Sequence, residues 1–282
     1  MKFEPDHLER PLRKLRKLLD EFSADPPPDD IHALRTQTRR LEAVVDALDL
    51  AHSKKTHRLI KAVTPLRKAA GAVRDMDVMI GAVLMLSEAR KDPALVRLVE
   101  HLSELRVRRA RRLGDLVERQ RPKVRKRLKQ SSKLLERNVQ KERGASTKPG
   151  TAVEILVTEL RHWPKLDESN LHHFRIRVKE LRYMLQMTTD ADITWVAQLE
   201  KVKGAIGEWH DWTELLKIAA GLLDAKEDKE LLKRIESIGK EKFRLALTAS
   251  NAARKRYFHY EAGNGNRKSE LHPIAPDRKK AS

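Results

Sequence analysis

The 282-residue sequence contains no cysteine, which excludes a disulfide framework, cysteine-ligated metal sites and catalysis by a thiol. Aromatic residues make up only 4%, which argues against proteins that stack the bases of single-stranded nucleic acids on aromatic rings. The longest uncharged run covers ten residues, 78–87, whereas a membrane-spanning helix needs about 20 apolar residues. The first residues have no apolar segment typical of a secretory signal. We therefore expect a cytoplasmic protein with no membrane association.

Glycine and proline are also sparse, with 11 and 12 residues, while 36% of the residues are charged. Few segments alternate apolar and polar residues, so the composition favours an all-α protein built on long helices. The 60 Lys+Arg outnumber the 41 Asp+Glu, giving a net charge of +19. A net charge of this size says little about the fold, but it predicts that the protein binds a polyanion or an acidic surface.

Helical periodicity extends over most of the chain. A proline-rich breaker followed by two aspartates predicts a helix over about 31–50. A second helix, over about 53–88, is expected to be bent or divided because Pro65 and Gly71 lie inside it. Pro122 is expected to divide a very basic stretch into two helices.

A segment rich in glycine, serine and proline, 144–150, is the strongest linker in the sequence. It predicts two helical domains, 1–143 and 151–260. Residues 261–282, with several glycines, prolines and lysines, predict a disordered basic tail.

The two predicted domains resemble each other. Ile31-His32-Ala33-Leu34-Arg35 recurs 140 residues later as Leu171-His172-His173-Phe174-Arg175. Arg67-x3-Gly71-x2-Arg74-Asp75 recurs 136 residues later as Lys203-x3-Gly207-x2-His210-Asp211. Few letters are identical, but order and spacing agree, and we interpret this as an internal duplication giving two bundles related by a pseudo-two-fold axis.

Each copy of the first motif places a basic stripe beside an apolar stripe on one helix. At about 100° per residue, the basic residues of the second copy fall within an arc of about 80°: His172, Arg175, Lys179 and Arg182. In the first copy, His32, Arg35 and Arg39 repeat this geometry. A basic stripe is often only a solvated face. Two observations favour a groove instead, since the stripes carry one sign apart from Glu42 and occur twice, each with a histidine at the same place.

The histidines could also cap their helices or bond a neighbouring backbone, and no metal-binding spacing such as HExxH is present. We expect Asp75, Asp77 and Asp211 to orient the neighbouring bases by ion pairing rather than to bind a metal. The glycine in each copy of the second motif costs about 1 kcal/mol relative to alanine inside a helix. Two compatible reasons remain open for it, a close helix–helix contact and room for an anionic chain beside the backbone.

These residues resemble the CHAD domain, the conserved histidine α-helical domain. The resemblance covers about residues 6–259, and it is carried by the motifs at 31–41, 66–78, 171–183 and 207–211. It implies an all-α fold of two pseudo-symmetric four-helix bundles around a central basic cavity that binds inorganic polyphosphate, and some members of the family are associated with polyphosphate granules. Carried onto this sequence, the implied binding residues are His32, Arg35, Arg39, Arg40, Arg67, Arg74, His172, Arg175, Lys179, Arg182, Lys203 and His210.

The sequence departs from the pattern in its second half. Glu180 stands where Arg40 stands in the first half, and Thr213 stands opposite Asp77. These differences predict a weaker grip on the ligand by the second half.

Polyphosphate fits the composition, since it is a linear anion without bases. Arginine donates paired N–H groups to phosphate oxygens and lysine adds a mobile point charge. Histidine gains charge below about pH 6.5, so binding is expected to strengthen in mild acid.

A second basic feature lies between Leu105 and Gln130, a stretch with 12 Lys/Arg and only two acidic residues, Asp115 and Glu118. It is either a solvated helix surface or an outer landing surface for a long polyanion or for nucleic acid.

No catalytic motif is recognisable. The Walker A loop, GxSxG and the alternating Glu-x-Glu-x-Lys strand of the catalytic domain that accompanies some CHAD domains are all missing. Trp209 is in register with Val202 and Ile206 and is expected in the core. We therefore predict a stand-alone, non-catalytic polyphosphate-binding protein without cofactor or metal, in the cytoplasm or at polyphosphate granules. A nucleic-acid-binding protein that uses the 105–130 surface is the first alternative, and a polyphosphate hydrolase or kinase is the second.

Overall fold

The structure is a computed structural model that describes residues 5–23, 25–48, 50, 53–86, 92–144, 149–188 and 191–258. The described residues form eight helices and no extended strand, which confirms the all-α prediction. The helices are α1 (Pro5–Glu21), α2 (Pro28–Ala47), α3 (Lys54–Leu84), α4 (Pro93–Gly144), α5 (Pro149–Arg161), α6 (Leu171–Leu185), α7 (Ile193–Leu222) and α8 (Lys229–Tyr257).

Each half consists of two shorter helices followed by a long helical hairpin. In the first half α1, α2, α3 and α4 pack in a ring, each against the next and α4 against α1. In the second half α5, α6, α7 and α8 pack in series, and Arg161 Nε of α5 donates to the Phe258 carbonyl just beyond α8 at 2.9 Å. Across the halves, α2 packs against α6 and α3 against α7, so the helices that carry the repeated motifs meet.

The apolar stripe beside each histidine forms the core of its own half. In α2, Ile31, Leu34 and Leu41 are fully buried in the first core. In α6, the equivalent stripe is buried in the second core, with Leu171, Phe174, Val178, Leu181 and Leu185 all at 0% exposure. The pattern places the adjoining basic stripe at the border of each core, on the side where α2 and α6 meet.

A third core joins the two halves, and the sequence did not predict it. The far ends of both long hairpins share it, with Met76 and Met79 of α3, Leu98 of α4, Trp212 and Leu215 of α7 and Ile235 of α8. Trp209, as predicted, is buried, and it belongs to the core of the second half. The halves are therefore held together by this shared core, and also by Met187, which follows α6 and is buried in the core of the first half.

The expected break at Pro122 is wrong, because α4 runs through this residue for 52 residues, about 78 Å at 1.5 Å per residue. Proline inside a helix costs about 3 kcal/mol. Val117 and Val124 are fully buried on either side of the exposed Pro122, and burying such side chains stabilises by about 2 kcal/mol each. Helix α3 likewise continues through Pro65 and Gly71.

The predicted linker lies where α4 ends at Gly144 and α5 begins at Pro149. Residues 145–148 and the predicted tail, 261–282, lie outside the described residues. Within the described part of the chain, no helix combines the length and apolar character needed to cross a lipid bilayer.

Candidate functional site

The predicted binding residues do not form an ordinary solvated face. Of the twelve, only His32 is exposed and the other eleven are partly buried. Partial burial of so many cations is costly unless they are paired or serve a ligand. The structure therefore places the basic stripes at the interior border predicted from their position beside the core.

The repeated glycines make room for the repeated arginines. Arg35 of α2 crosses α3 at Gly71, where an added Cβ would lie 3.7 Å from Arg35 Nε. Arg175 of α6 crosses α7 at Gly207, where an added Cβ would lie 2.5 Å from Arg175 Nη2. The contact is between helices, but an arginine side chain makes it. Arg175 Nε also donates to the Lys203 carbonyl oxygen at 3.1 Å, which fixes the guanidinium over α7.

Cations from both halves converge at the place where α2, α6 and α7 meet. Burial, followed by the positive charges of Arg39, Arg175 and Arg35, lowers the pKa of Lys179 to about 7. Lys203 contributes to the same shift. We call this set the central cationic cluster, defined as Arg35, Arg39, Arg175, Lys179 and Lys203. Its first two members come from the first half and its last three from the second.

Two aspartates lie beside the cluster without forming ion pairs in the described structure. Removal from water raises the pKa of Asp211 to about 6, although Arg175 and Arg35 act in the opposite direction. The pKa of Asp75 is raised by the same cause, opposed by Arg35 and His210. Asp75 is nevertheless accessible to solvent. A group that is crowded by protein yet open to water is typical of a concave, hydrated surface.

The third predicted carboxylate, Asp77, has a different role. Its Oδ1 accepts from Arg106 Nε of α4 at 2.7 Å, and its Oδ2 is 4.0 Å from Arg74 Nη1. Asp77 therefore connects α3 to α4 and touches the candidate site only through Arg74. Sequence reasoning did not identify Arg106 as its partner, because that arginine lies in the 105–130 stretch.

The three histidines all lie near other cations. The rings of His172 and His210 are 4.9 Å apart between centroids, and His172 Nδ1 is buried without a hydrogen-bond partner. Burial is the main cause that lowers the pKa of His32, and Arg74 and Lys203 lower it further. Burial also lowers the pKa values of His172 and His210. In the free protein these imidazoles therefore gain charge at a lower pH than the 6.5 that the sequence predicts.

Several predicted binding residues are already neutralised. Arg67 Nε lies 2.8 Å from Glu42 Oε1, and Arg39 Nη1 lies 3.5 Å from Glu42 Oε2. Arg182 Nη1 lies 2.8 Å from Glu200 Oε2, and Lys203 pairs with the same glutamate. Sequence reasoning did not identify Glu200: its i,i+3 spacing to Lys203 is visible in the sequence, but its pairing with Arg182 depends on how α6 packs against α7.

Arg40 lies apart from the cluster, in a cavity of about 250 Å³ that Arg10 and Tyr183 also line. A smaller cavity of about 70 Å³ between α2 and α6 is lined by Arg39 and Lys179, and also by three carboxylates, Glu42, Asp46 and Glu180. At this end of the α2–α6 contact, cations and carboxylates are therefore mixed. Glu180, the residue that replaces an arginine in the repeat, belongs to the acidic side.

The 105–130 stretch is not a uniformly free surface. Four of its arginines hold other elements: Arg106 pairs with Asp77, Arg109 Nη1 donates to the Ala72 carbonyl at 2.9 Å, Arg121 Nη2 donates to the Phe22 carbonyl at 2.8 Å, and Arg125 pairs with Asp20 at 3.1 Å. Part of the positive charge in this stretch therefore anchors α4 to the rest of the first half. Across the described residues, no group of three or more His, Asp or Glu side chains is arranged to hold a metal ion.

Comparisons with known proteins identify the family. A crystal structure of the CHAD domain from the plant Ricinus communis matches with a TM-score of 0.67 and 16% sequence identity, covering 89% of this chain and 90% of that one. At this identity the likeness shows the fold alone. A comparison with curated proteins finds no match. The family model described as the CHAD domain matches residues 6–220, and, since this is well over half of its length, the chain belongs to the CHAD domain family.

Proposed function

We propose that the protein binds inorganic polyphosphate at the central cationic cluster and does not cleave it. The observation that carries this proposal is the convergence of cations from both halves on Lys179, whose pKa is lowered to about 7 by burial and by their positive charges. Arg35, Arg175 and Lys179 have no carboxylate within ion-pair distance among the described residues. A site with this excess of positive charge is stabilised by an anion.

The ligand follows from what the cluster offers. Arg35 and Arg175 present planar guanidinium groups, which donate paired N–H groups to phosphate oxygens. None of the five cluster residues is aromatic, and Tyr183, which lines the adjoining cavity, already has the Arg182 guanidinium over its ring at 4.6 Å. The cluster also lies at a contact between helices rather than on a projecting surface. A linear anion without bases fits these properties better than a nucleic acid does.

Proton uptake on binding tests the proposal. An anion bound beside Lys179 raises the pKa of this amine, so the complex takes up as much as about one proton per cluster near pH 7.5. We expect titration calorimetry with tripolyphosphate, in buffers of different ionisation enthalpy, to show this uptake in the wild type. Binding to ordinary exposed lysines and arginines gives none, because these groups are already charged.

Two variants make the test specific. Lys179→Met is expected to abolish most of the proton uptake and to weaken binding about 10–100-fold, the equivalent of one charged hydrogen bond. Lys201→Met removes an exposed lysine of the neighbouring helix α7 and is expected to change neither quantity. Equal effects of the two variants would show that only net charge attracts the ligand.

Competition and chain-length measurements address the other functions. Duplex DNA at equal phosphate concentration is expected to displace tripolyphosphate poorly from the cluster. If it displaces the ligand equally well, the nucleic-acid hypothesis replaces the present one. Prolonged incubation of purified protein with long polyphosphate, with and without Mg²⁺, is expected to leave the chain length unchanged. We further propose that the protein acts in the cytoplasm, at polyphosphate granules, which imaging of a tagged protein against a polyphosphate stain tests.

A further inference from the structure

A second basic groove lies between the start of α3 and the second half of α4. It has a volume of about 590 Å³. Two side chains of α3 and six of α4 line it: Lys55, Arg58, Arg127, Lys129, Gln130, Lys133, Leu134 and Arg137. Six of the eight are cations and none is a carboxylate. We call this site the α3–α4 groove.

The cations of the α3–α4 groove lack counter-charges within the described structure. None of the six lies within ion-pair distance of a described carboxylate. Five are exposed and Arg127 is partly buried. Among the described residues, the one hydrogen bond that their charged groups make joins Arg127 Nη1 to Gln130 Oε1 at 2.9 Å. Their charges are thus available to a ligand.

Two separate features of the sequence place like charges together here. On α4, Lys129, Lys133 and Arg137 follow one another at i, i+4 spacing, an arrangement of like charges that destabilises a helix. On α3, Lys55 and Arg58 lie in the first turns, and no acidic residue occupies the first turn. The N-terminus of a helix carries a partial positive charge and favours acidic residues. Both arrangements cost stability in the free protein, and a bound anion would relieve both.

The α3–α4 groove is separate from the central cationic cluster. On α3, the residue beside the cluster is Arg67, which shares Glu42 with Arg39. Arg58 lies nine residues before Arg67, about 13 Å away along the axis and half a turn around it. Arg67 faces α2, where it pairs with Glu42, whereas Arg58 faces the groove with α4. A small anion cannot occupy both sites at once.

We propose that the α3–α4 groove is a second, independent binding site for a phosphate chain without bases. No aromatic side chain lines the groove, so it offers no platform for a nucleobase. Its volume of about 590 Å³ holds a segment of a single flexible chain but not a double helix. With two such sites on different faces, one protein molecule holds two segments of polyphosphate, from one long chain or from two chains.

Titration calorimetry with tripolyphosphate counts the sites. We expect two sites in the wild type and one in the triple variant Lys129→Gln, Lys133→Gln, Arg137→Gln, in which affinity at the groove falls by about 100-fold or more because three charged contacts are lost. The charge-matched control Lys226→Gln, Lys229→Gln, Lys233→Gln changes exposed lysines near the start of α8 and retains two sites. Two sites in the groove variant, or one site in the wild type with no effect of the groove variant, overturn the proposal.

A second arm separates this proposal from the proposed function, whose ligand it shares. The triple variant Arg35→Gln, Lys179→Gln, Lys203→Gln alters three members of the central cationic cluster and is expected to keep the groove site alone. If that variant keeps both sites while the groove variant loses one, the proposed function fails and the groove proposal stands. If a 20-base-pair DNA duplex displaces tripolyphosphate from the groove at equal phosphate concentration, the groove binds nucleic acid and our choice of ligand is wrong.

Discussion

The two equivalent glycines predict opposite outcomes for the same substitution. In Gly71→Ala the new methyl group lies 3.7 Å from Arg35 Nε, an ordinary contact. Replacing glycine by alanine inside a helix stabilises by up to about 1 kcal/mol. For a chain of this size that corresponds to an increase of about 2–3 °C in the melting temperature. We expect Gly71→Ala to gain this stability and to bind tripolyphosphate with unchanged affinity at the central cationic cluster.

In Gly207→Ala the methyl group lies 2.5 Å from Arg175 Nη2, so the guanidinium must move. The bond from Arg175 Nε to the Lys203 carbonyl is then lost, at a cost of about 1.5–3 kcal/mol for a charged donor. The gain in helix propensity offsets about 1 kcal/mol of this cost. The expected net change is a loss of about 0.5–2 kcal/mol in the free energy of unfolding, measured by urea titration. Displacement of Arg175 also weakens tripolyphosphate binding about 10–100-fold.

The comparison with Arg175→Gln decides how the result is interpreted. If Gly207→Ala binds with wild-type affinity while Arg175→Gln binds weakly, the guanidinium reaches the phosphate from its displaced position. If both variants bind as tightly as the wild type, Arg175 does not contact the ligand and the reasoning that places polyphosphate at the cluster is refuted. Gly71→Ala, measured beside them, shows whether any loss comes from the helix itself.

Three further predictions concern charge. Burial lowers the pKa values of His32, His172 and His210. The unfolded chain therefore binds more protons than the folded protein just below pH 6.5, and stability falls as the pH drops through this window. Thermal melts between pH 7.5 and 5.5 should show this fall, and bound tripolyphosphate should reduce it. The folded pKa of Asp211 is about 6, above its ordinary 3.8. The folded protein keeps the Asp211 carboxyl protonated where the unfolded chain does not, so stability falls as the pH rises through 4–6. Asp211→Asn should therefore raise the melting temperature and the tripolyphosphate affinity at pH 7.5. At pH 3.5 it should leave the melting temperature unchanged. Asp77→Asn leaves the partly buried Arg106 unpaired and should cost about 2–3 kcal/mol in urea titrations, against about 0–1 kcal/mol for Asp20→Asn at an exposed pair.

The sequence was sufficient where one helix determines the outcome. The apolar stripe from Leu171 to Leu185 is buried as its spacing predicts, and its basic neighbours are partly buried for the same reason. Trp209 is in the core because it is in register with Val202 and Ile206. These properties depend only on the angle between residues of a single helix, which α-helix geometry sets at about 100° per residue.

The sequence was insufficient where two helices meet. Glu200 neutralises Arg182, and Asp77 binds Arg106, but the letters alone do not indicate how α6 and α7, or α3 and α4, are placed against each other. The third core has the same origin, since Met76 and Trp212 come together only when both hairpins are assembled. Pro122 shows that packing can override local preference, because its cost in helix propensity is smaller than the gain from the flanking buried valines.

The differences between the two copies affect how the cluster obtains its charge. Arg39 of the first half and Lys179 of the second occupy equivalent positions in the repeat. Arg39 stays charged at all ordinary pH values. Lys179, with a pKa of about 7, is partly neutral near physiological pH. The free protein thereby avoids part of the repulsion between its cations. In the proposed complex, the anion would restore the missing charge by raising the pKa of Lys179. In the proposed complex, and only there, the second half would therefore contribute its full charge. The weaker binding that the sequence predicts for the second half would then apply to the free protein at high pH. A bound phosphate chain would charge Lys179, so that the two halves contribute more nearly equal positive charge to the site.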